Sequence, residues 1–488
     1  MMLMLWTESV KLHEKATSSP VLCMGIRIMR VRVDRVEPVA RMRSHNCLVL
    51  FLWAYRGGAQ KQEGTLDRFH PAGKVDSFIA ANMRRNFVAL ALDYGFFGLG
   101  MSFASTTTIL PALADRLGAP NLVLGALPSI VMLGRSMPAL FSARLIEPMP
   151  RKLPFVLAYT AWERLPWLLL AVAVYGWSTT NPTLVLALLV GTLTAVSLTG
   201  GVLSPAWVDL IGRVIPTEYR GRFFAIGGAF ATVFGLGGSV LSGYFLREYP
   251  FPAGFALCIG AAFLFLLASW GALALAREPA AEKVKPAVGL SAHLARLPGI
   301  LRTNPAFAWY LAARALTMVG TMATGFYAVY AIRSLGAQEW NVASFTFALL
   351  AAQAAGGLAL GSLSDRVGHR ASLLMGIVAN AAAALLAMFA TDLIIYHAVF
   401  LFTGISVAAN NVSSQTLVLE MAPEEKRPTY LGLSSSVPAP FILLAPLLAG
   451  TLADSMGLRA VFGTAAILSA ASALTYLLRV REPRKTHQ

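Results

Sequence analysis

Twelve long apolar runs decide what this chain can become. They lie near residues 86–110, 122–143, 153–175, 184–207, 223–246, 253–276, 306–331, 341–362, 371–390, 393–416, 430–452 and 458–479. A helix needs about 20 apolar residues to cross a bilayer. Lipid offers no hydrogen-bond partner to the backbone, so only helices and closed barrels span it. Barrel strands are about 10 residues long and alternate in polarity, whereas these runs are longer and continuous. The expected fold class is therefore an all-α integral membrane protein with twelve transmembrane helices. Composition agrees: 13% of the residues are charged and 56% hydrophobic, against about 25% charged in soluble domains.

Charge follows a side. The net charge of +16 raises the question of nucleic acid, but the bases sit in short junctions between apolar runs, as the positive-inside rule expects. Arg84, Arg85, Arg144, Arg151, Lys152, Arg213, Arg220, Arg222, the loop 277–303, Arg366, Arg370, Lys426, Arg427 and the tail share one side. The other side holds only Arg116, Arg247, Arg333 and Arg459. Both termini are expected in the cytoplasm, with the protein in the cell membrane and no nucleic-acid partner. Cys23, Cys47 and Cys258 show no metal-ligand spacing and are too few for a disulfide framework.

The chain repeats itself. Leu117-Gly118-Ala119-Pro120 recurs as Leu335-Gly336-Ala337-Gln338, and Pro216-Thr217-Glu218-Tyr219-Arg220 as Pro423-Glu424-Glu425-Lys426-Arg427. Gly243 and Phe255 fall on Gly450 and Phe462, and Arg277-Glu278-Pro279 closes the first half as Arg481-Glu482-Pro483 closes the second. Residues 84–276 and 305–480 are thus expected to be two pseudo-symmetric six-helix halves. Between them, 277–304 reads as a linker with a short interfacial helix over 291–302. Residues 481–488 form a tail. Residues 1–83 are Arg-rich, and their one strongly apolar stretch, Leu48 to Ala54, is too short to span. They are expected to be a disordered arm or to precede the natural start at Met83.

One polar island carries a recognisable wording: Gly361-Ser362-Leu363-Ser364-Asp365-Arg366-Val367-Gly368-His369-Arg370. It resembles the signature loop of the major facilitator superfamily of secondary transporters. The first-half loop, Ala143 to Lys152, keeps an acid at Glu147 and bases at Arg151 and Lys152 but loses both glycines. The resemblance implies two halves that rock about a central cavity, each built of inverted three-helix repeats. It also implies a cytoplasmic latch of Gly361, Asp365, Arg366, Gly368 and Arg370, with Glu147 and Arg151 as the weaker copy. Expected partners are Glu420, Arg427, Asp209, Arg220 and Arg222. The paired span-5 glycines of drug–proton antiporters lack their proline here, and the sugar-porter wording between the halves is missing.

An ionisable residue in mid-span costs about 2.5–3.5 kcal/mol on insertion scales and so asks for a reason. Asp93, Arg135, Glu163, Arg164 and Arg314 lie there. Arg135 and Glu163 fall at similar depth across one hairpin and are expected to form a structural pair, with proton relay as the alternative. Asp93 and Arg314 occupy nearly equivalent repeat positions in the first and seventh spans. By the resemblance these spans line the cavity, where the two would face each other. Asp93 would carry a coupling proton, or the two would hold opposite ends of a solute, gate the path or form a plain structural pair. Asn410 and Asn411 in the tenth span are uncharged solute candidates.

Enzymatic signatures are missing: there is no G-x-x-x-x-G-K-[ST] loop and no H-E-x-x-H, and no G-x-S-x-G elbow. No cofactor, metal or ATP drive is expected. The expected function is movement of a small organic solute across the lipid bilayer by alternating access, by a protein working as a monomer, with protons as a coupling partner. The rivals are an uncoupled facilitator and a transporter-derived sensor or lipid-translocating protein.

Overall fold

The computed structural model describes residues 74–146, 149–279, 297–423 and 427–480, all helices, turns and short connections with no strand among them. The expected arm before residue 74, most of the linker, Glu147, the Arg427 side chain and the tail lie outside the described residues.

The first half contains α1 (Lys74–Phe103), α2 (Ile109–Arg116), α3 (Asn121–Ile146), α4 (Leu153–Trp177), α5 (Pro182–Val214), α6 (Thr217–Glu248) and α7 (Ala253–Ala274). A short helix, α8 (Leu297–Thr303), precedes the second half. There follow α9 (Pro305–Gly320), a 3-10 turn (Thr321–Gly325), α10 (Tyr327–Leu335), α11 (Glu339–Val367), α12 (His369–Phe389), α13 (Leu393–Met421), α14 (Arg427–Ser436), α15 (Ala439–Met456) and α16 (Leu458–Arg479). Eleven of the described rods are long and apolar enough to cross a membrane. The α3 helix, 26 residues with Pro128 and Pro138 inside it, completes the twelve expected from the sequence.

Three runs that read as continuous are broken. The first span stops at Phe103 and resumes at Ile109. The intervening Ser and Thr side chains bond locally, Thr108 Oγ1 to Ser105 Oγ at 2.6 Å, and so compete with the helical ladder. The seventh span breaks at the equivalent place, Thr321–Gly325. The eleventh breaks before Ala439, where Pro438 cannot continue a helix.

Within the first half α1 packs on α6 and α7, α3 on α5, and α4 on α5 and α7; in the second, α11 packs on α13, α12 on α13 and α16, and α9 on α16. The halves join along two seams, α3 with α15 and α6 with α11. These seams exchange under the repeat, so one pseudo-twofold axis relates them. Small residues bring backbones together, as in membrane bundles generally. A Cβ on Gly98 would meet Ala231 of α6 at 2.7 Å, and one on Gly201 would collide with the Gly134 carbonyl of α3.

The two ends of the bundle differ. At the end without the Arg-rich loops, one large apolar cluster runs through both halves, from Leu110 and Trp167 to Phe326 and Phe462. At the basic end the core divides: Phe87, Leu210 and Phe223 belong to one cluster, Phe307, Leu417 and Tyr476 to another. Polar contacts between the halves gather at the undivided end. Arg333 meets Asp115 at 2.5 Å, Arg116 meets Glu339 at 3.0 Å, and Asn121 donates to Asp454 at 2.7 Å. Thr108 and Thr346 share a hydrogen bond of 2.6 Å.

Candidate functional site

The first half encloses a cavity of about 250 Å³ among α1, α3, α4, α5 and α7, with Asp93, Arg135, Glu163, Arg164 and Trp207 on its wall. Sequence reasoning nominated four of these five. Asp93 projects from α1, and only 5% of its surface is accessible. One carboxylate oxygen accepts from Ser269 Oγ at 2.6 Å and the other from Trp207 Nε1 at 3.1 Å. Arg164 is equally buried. Its guanidinium donates to the Leu266 carbonyl, the Thr160 carbonyl and Ser269 Oγ at 3.1–3.2 Å, and to Glu163 Oε2 at 2.7 Å. Ser269 therefore links the two acids through the arginine. Trp207–Asp93–Ser269–Arg164–Glu163 is one continuous chain of polar contacts inside a membrane-spanning bundle.

The expected Arg135–Glu163 pair does not form. Glu163 pairs with its sequence neighbour Arg164, while Arg135 stays exposed at the cavity rim. Adjacent helical residues do not face each other, so this pairing was hard to foresee. It arises because Arg164 reaches into the α4–α7 seam, anchored on α7. Gly200 on α5 leaves room for the acid: a Cβ there would sit 3.1 Å from Glu163 Oε1. Trp207 and Ser269 were missed, since a single Trp or Ser in an apolar run carries no pattern.

The second half repeats the arrangement with different chemistry. A notch of about 30 Å³ lies among α9, α12, α13 and α16, lined by Arg314, Thr317, Ser406, Asn410 and Tyr476. Arg314 is half-buried and donates to Tyr310 Oη at 3.1 Å. Asn410 borders the notch, and Asn411 is exposed beside it on α13. Asp93 and Arg314 thus do occupy matching places, but each turns into its own half and they do not touch.

The signature loop joins α11 to α12 through Gly368, whose φ of 107° is a conformation that favours glycine. Gly361 stands partly buried two turns before it, and Asp365 and Arg366 are exposed on the last turn of α11. Arg370 donates to the Tyr476 and Leu477 carbonyls at the end of α16, at 3.0 and 2.9 Å, a favourable place for a cation. His369, which the motif did not single out, lies buried 3.2 Å from Ser413 Oγ and 3.9 Å from Glu420.

In the first half Asp209 pairs with Arg213 at 3.1 Å, and Arg220 donates to the Gly212 and Ile215 carbonyls. Arg151 is exposed. In place of the lost glycines stands a clamp that sequence reading overlooked. Glu278 accepts from the backbone N–H groups of both Lys152 and Leu153 at 2.7 Å, capping α4, and lies 3.6 Å from Arg213. Burial, and then the Arg213 charge, lower the Lys152 ammonium pKa; Asp209 and Glu278 oppose them. Each of these contacts stays within one half.

A two-half helical bundle with charged side chains buried at mid-span defines a multi-pass integral membrane protein. A family model described as Major Facilitator Superfamily matches residues 92–352 and 318–488, and the chain belongs to that family. Over 133 residues it is 31% identical to the minor myo-inositol transporter IolF of Bacillus subtilis (strain 168). That stretch is 27% of this chain and 30% of the relative. Among solved structures, the nucleoside transporter NupG matches with a TM-score of 0.61 at 13% identity, over 82% of this chain and 99% of its own. A D-xylose-proton symporter matches with a TM-score of 0.61 at 13% identity, over 83% and 99%. At such identity these structures bear on the fold alone.

Proposed function

We propose that this transporter moves a small polar organic solute by alternating access and couples it to protons through Asp93. The observation that carries the reading is the chain of contacts joining two buried carboxylates to one guanidinium at mid-span. Glu163 has the guanidinium as its direct partner, whereas Asp93 is held by an indole N–H and a hydroxyl. Of the two acids Asp93 is therefore the one whose charge is less fully compensated. Whether an acid holds its proton depends on how close a positive charge stands to it. A modest rearrangement of Arg164 or Arg135 would then load or release the proton. The myo-inositol transporter that is 31% identical over part of its length supports a small, polar, non-lipid solute.

With the basic end assigned to the cytoplasm by the positive-inside rule, the divided core faces inward and the polar contacts from Asp115 to Asp454 close the outside. The loop around Asp365 and Arg370 would latch the inner end when the halves rock the other way. The test is solute-induced proton movement in proteoliposomes, comparing wild type with Asp93→Asn. A proton signal lost in the variant, with solute exchange retained, is the expected result. Undiminished proton-driven accumulation in the variant would remove Asp93 from coupling and favour uncoupled facilitation.

A further inference from the structure

The mid-span charges do not balance. Two acids, Asp93 and Glu163, stand against three arginines, Arg135, Arg164 and Arg314. In the first half the acids and bases match in number and share one cavity. Among the described residues of the second half Arg314 is the sole charged side chain at that depth: the acids described there, Glu339, Asp365, Asp392, Glu420 and Asp454, all lie within a few residues of a helix end. Arg314 is nine residues past Pro305, about 14 Å along the helix at 1.5 Å per residue, near the middle of a hydrocarbon core about 30 Å thick.

We infer that Arg314 and its notch bind the anionic group of the transported solute, so that the substrate is a small organic anion bearing a carboxylate or phosphate. The inference rests on the transporter reading and names its substrate class. Arg314 donates to a neutral partner, Tyr310 Oη, and no carboxylate pairs with it among the described residues. A guanidinium carries five donors in a planar fork suited to carboxylate or phosphate. Thr317, Ser406 and Asn410 add hydroxyl and amide groups around it. A notch of about 30 Å³ holds one or two waters, which is room for one anionic group and not for a whole solute. The body of the solute would lie in the gap between the divided cores, toward the exposed Asn411.

Alternating access supplies the reason for an anion. While the basic end is open, water reaches the notch and solvates Arg314. When the halves close, that water leaves, and an unpaired buried charge is strongly disfavoured. A bound anion neutralises it, so the loaded carrier crosses more readily than the empty one.

The experiment is ligand binding to the purified full chain in detergent, read by thermal stabilisation and tryptophan fluorescence. The probes are glucose, glucuronate and glucose 6-phosphate, which share one body and differ in charge; glucuronate and the phosphate ester separate the two anion types. Glucuronate or glucose 6-phosphate is expected to bind, with glucose at least about 30-fold weaker, the ratio for a lost desolvated charge contact of about 2 kcal/mol. Arg314→Gln should erase the preference, and Arg314→Lys should keep its sign with weaker binding. Equal or tighter binding of glucose, anion preference surviving in Arg314→Gln, or no shift with any probe at 10 millimolar (roughly the weakest affinity worth calling a site) would overturn the inference. Proton-coupled flux of glucose would sink the anion inference and leave the transporter reading intact. Anion binding without flux in vesicles would do the reverse.

Discussion

The two halves place a charged residue at the same point of the same scaffold and surround it differently. In the first half Asp93 enters a cavity of about 250 Å³ with Glu163, Arg164 and Arg135, and its oxygens are met by Ser269 and Trp207. In the second, Arg314 enters a notch of about 30 Å³ and meets Tyr310. Pseudo-symmetry fixes depth and direction, while side-chain chemistry is free to diverge. A compensated cluster has internal partners for a proton to move among. A lone guanidinium has one deficit, which something mobile must fill. The same backbone position thus suits energy coupling in one half and solute anchoring in the other.

The strongest way to break this comparison is to remove the acid. An imposed 100 mV supports a gradient of about 50-fold per translocated charge. Asp93→Asn is expected to bring uphill accumulation down to a ratio of about 1 in proteoliposomes, while counterflow of pre-loaded solute continues. Loss of counterflow as well would mean that Asp93 shapes the site and does not couple it. The next largest effect is on stability. Arg164→Met leaves Glu163 buried without its partner and should cost about 3–5 kcal/mol, seen as a lower detergent-unfolding midpoint. Glu163→Gln combined with Arg164→Met should recover most of that loss. If the double variant is no more stable than the single one, Arg164 acts through its carbonyl contacts on α7 and α4 and not through the ion pair.

Much of this was legible in the chain. Long apolar runs, one-sided bases and the island from Gly361 to Arg370 point to the fold, because bilayer thickness and backbone satisfaction leave few alternatives. Asp93, Glu163, Arg164 and Arg314 announce themselves because a charge in an apolar run is rare. What the chain does not announce is pairing. Glu163 and Arg164 are neighbours whose partnership depends on α7 passing alongside, and Ser269 acquires its place only when α1, α4 and α7 converge. The helix breaks at 104–108 and 321–326 are likewise hidden, since Ser, Thr and Gly are tolerated in membrane helices until packing makes use of them.

A smaller effect sharpens the comparison through packing. Gly201 lies against the Gly134 carbonyl in the first half, and Gly404 lies against the Leu349 carbonyl in the second. Gly201→Ala and Gly404→Ala should each cost about 1–3 kcal/mol by overpacking. Only the first borders the Asp93 cavity, next to Gly200. Proton coupling should therefore suffer more in Gly201→Ala than in Gly404→Ala at equal loss of thermal stability. Equal functional loss would show that the two seams serve rocking alike.

The smallest effect lies where the halves meet. Arg333 and Asp115 form a partly exposed pair at 2.5 Å, with Asn121 also accepting from Arg333 at 3.2 Å. Pairs of this kind contribute about 0–1 kcal/mol, so Asp115→Asn should shift the open–closed balance by no more than about fivefold. Labelling of a cysteine placed at Thr346 reads the shift. Its hydroxyl now bonds Thr108 across the seam, behind the ion pair, so the cysteine reacts only when that end opens. Faster labelling in Asp115→Asn would make the pair a brake on opening that belongs to both halves equally. Unchanged labelling would leave closure to the shared apolar cluster around Phe326 and Leu110. In that case the asymmetry between the halves is confined to mid-span, and the ends merely follow.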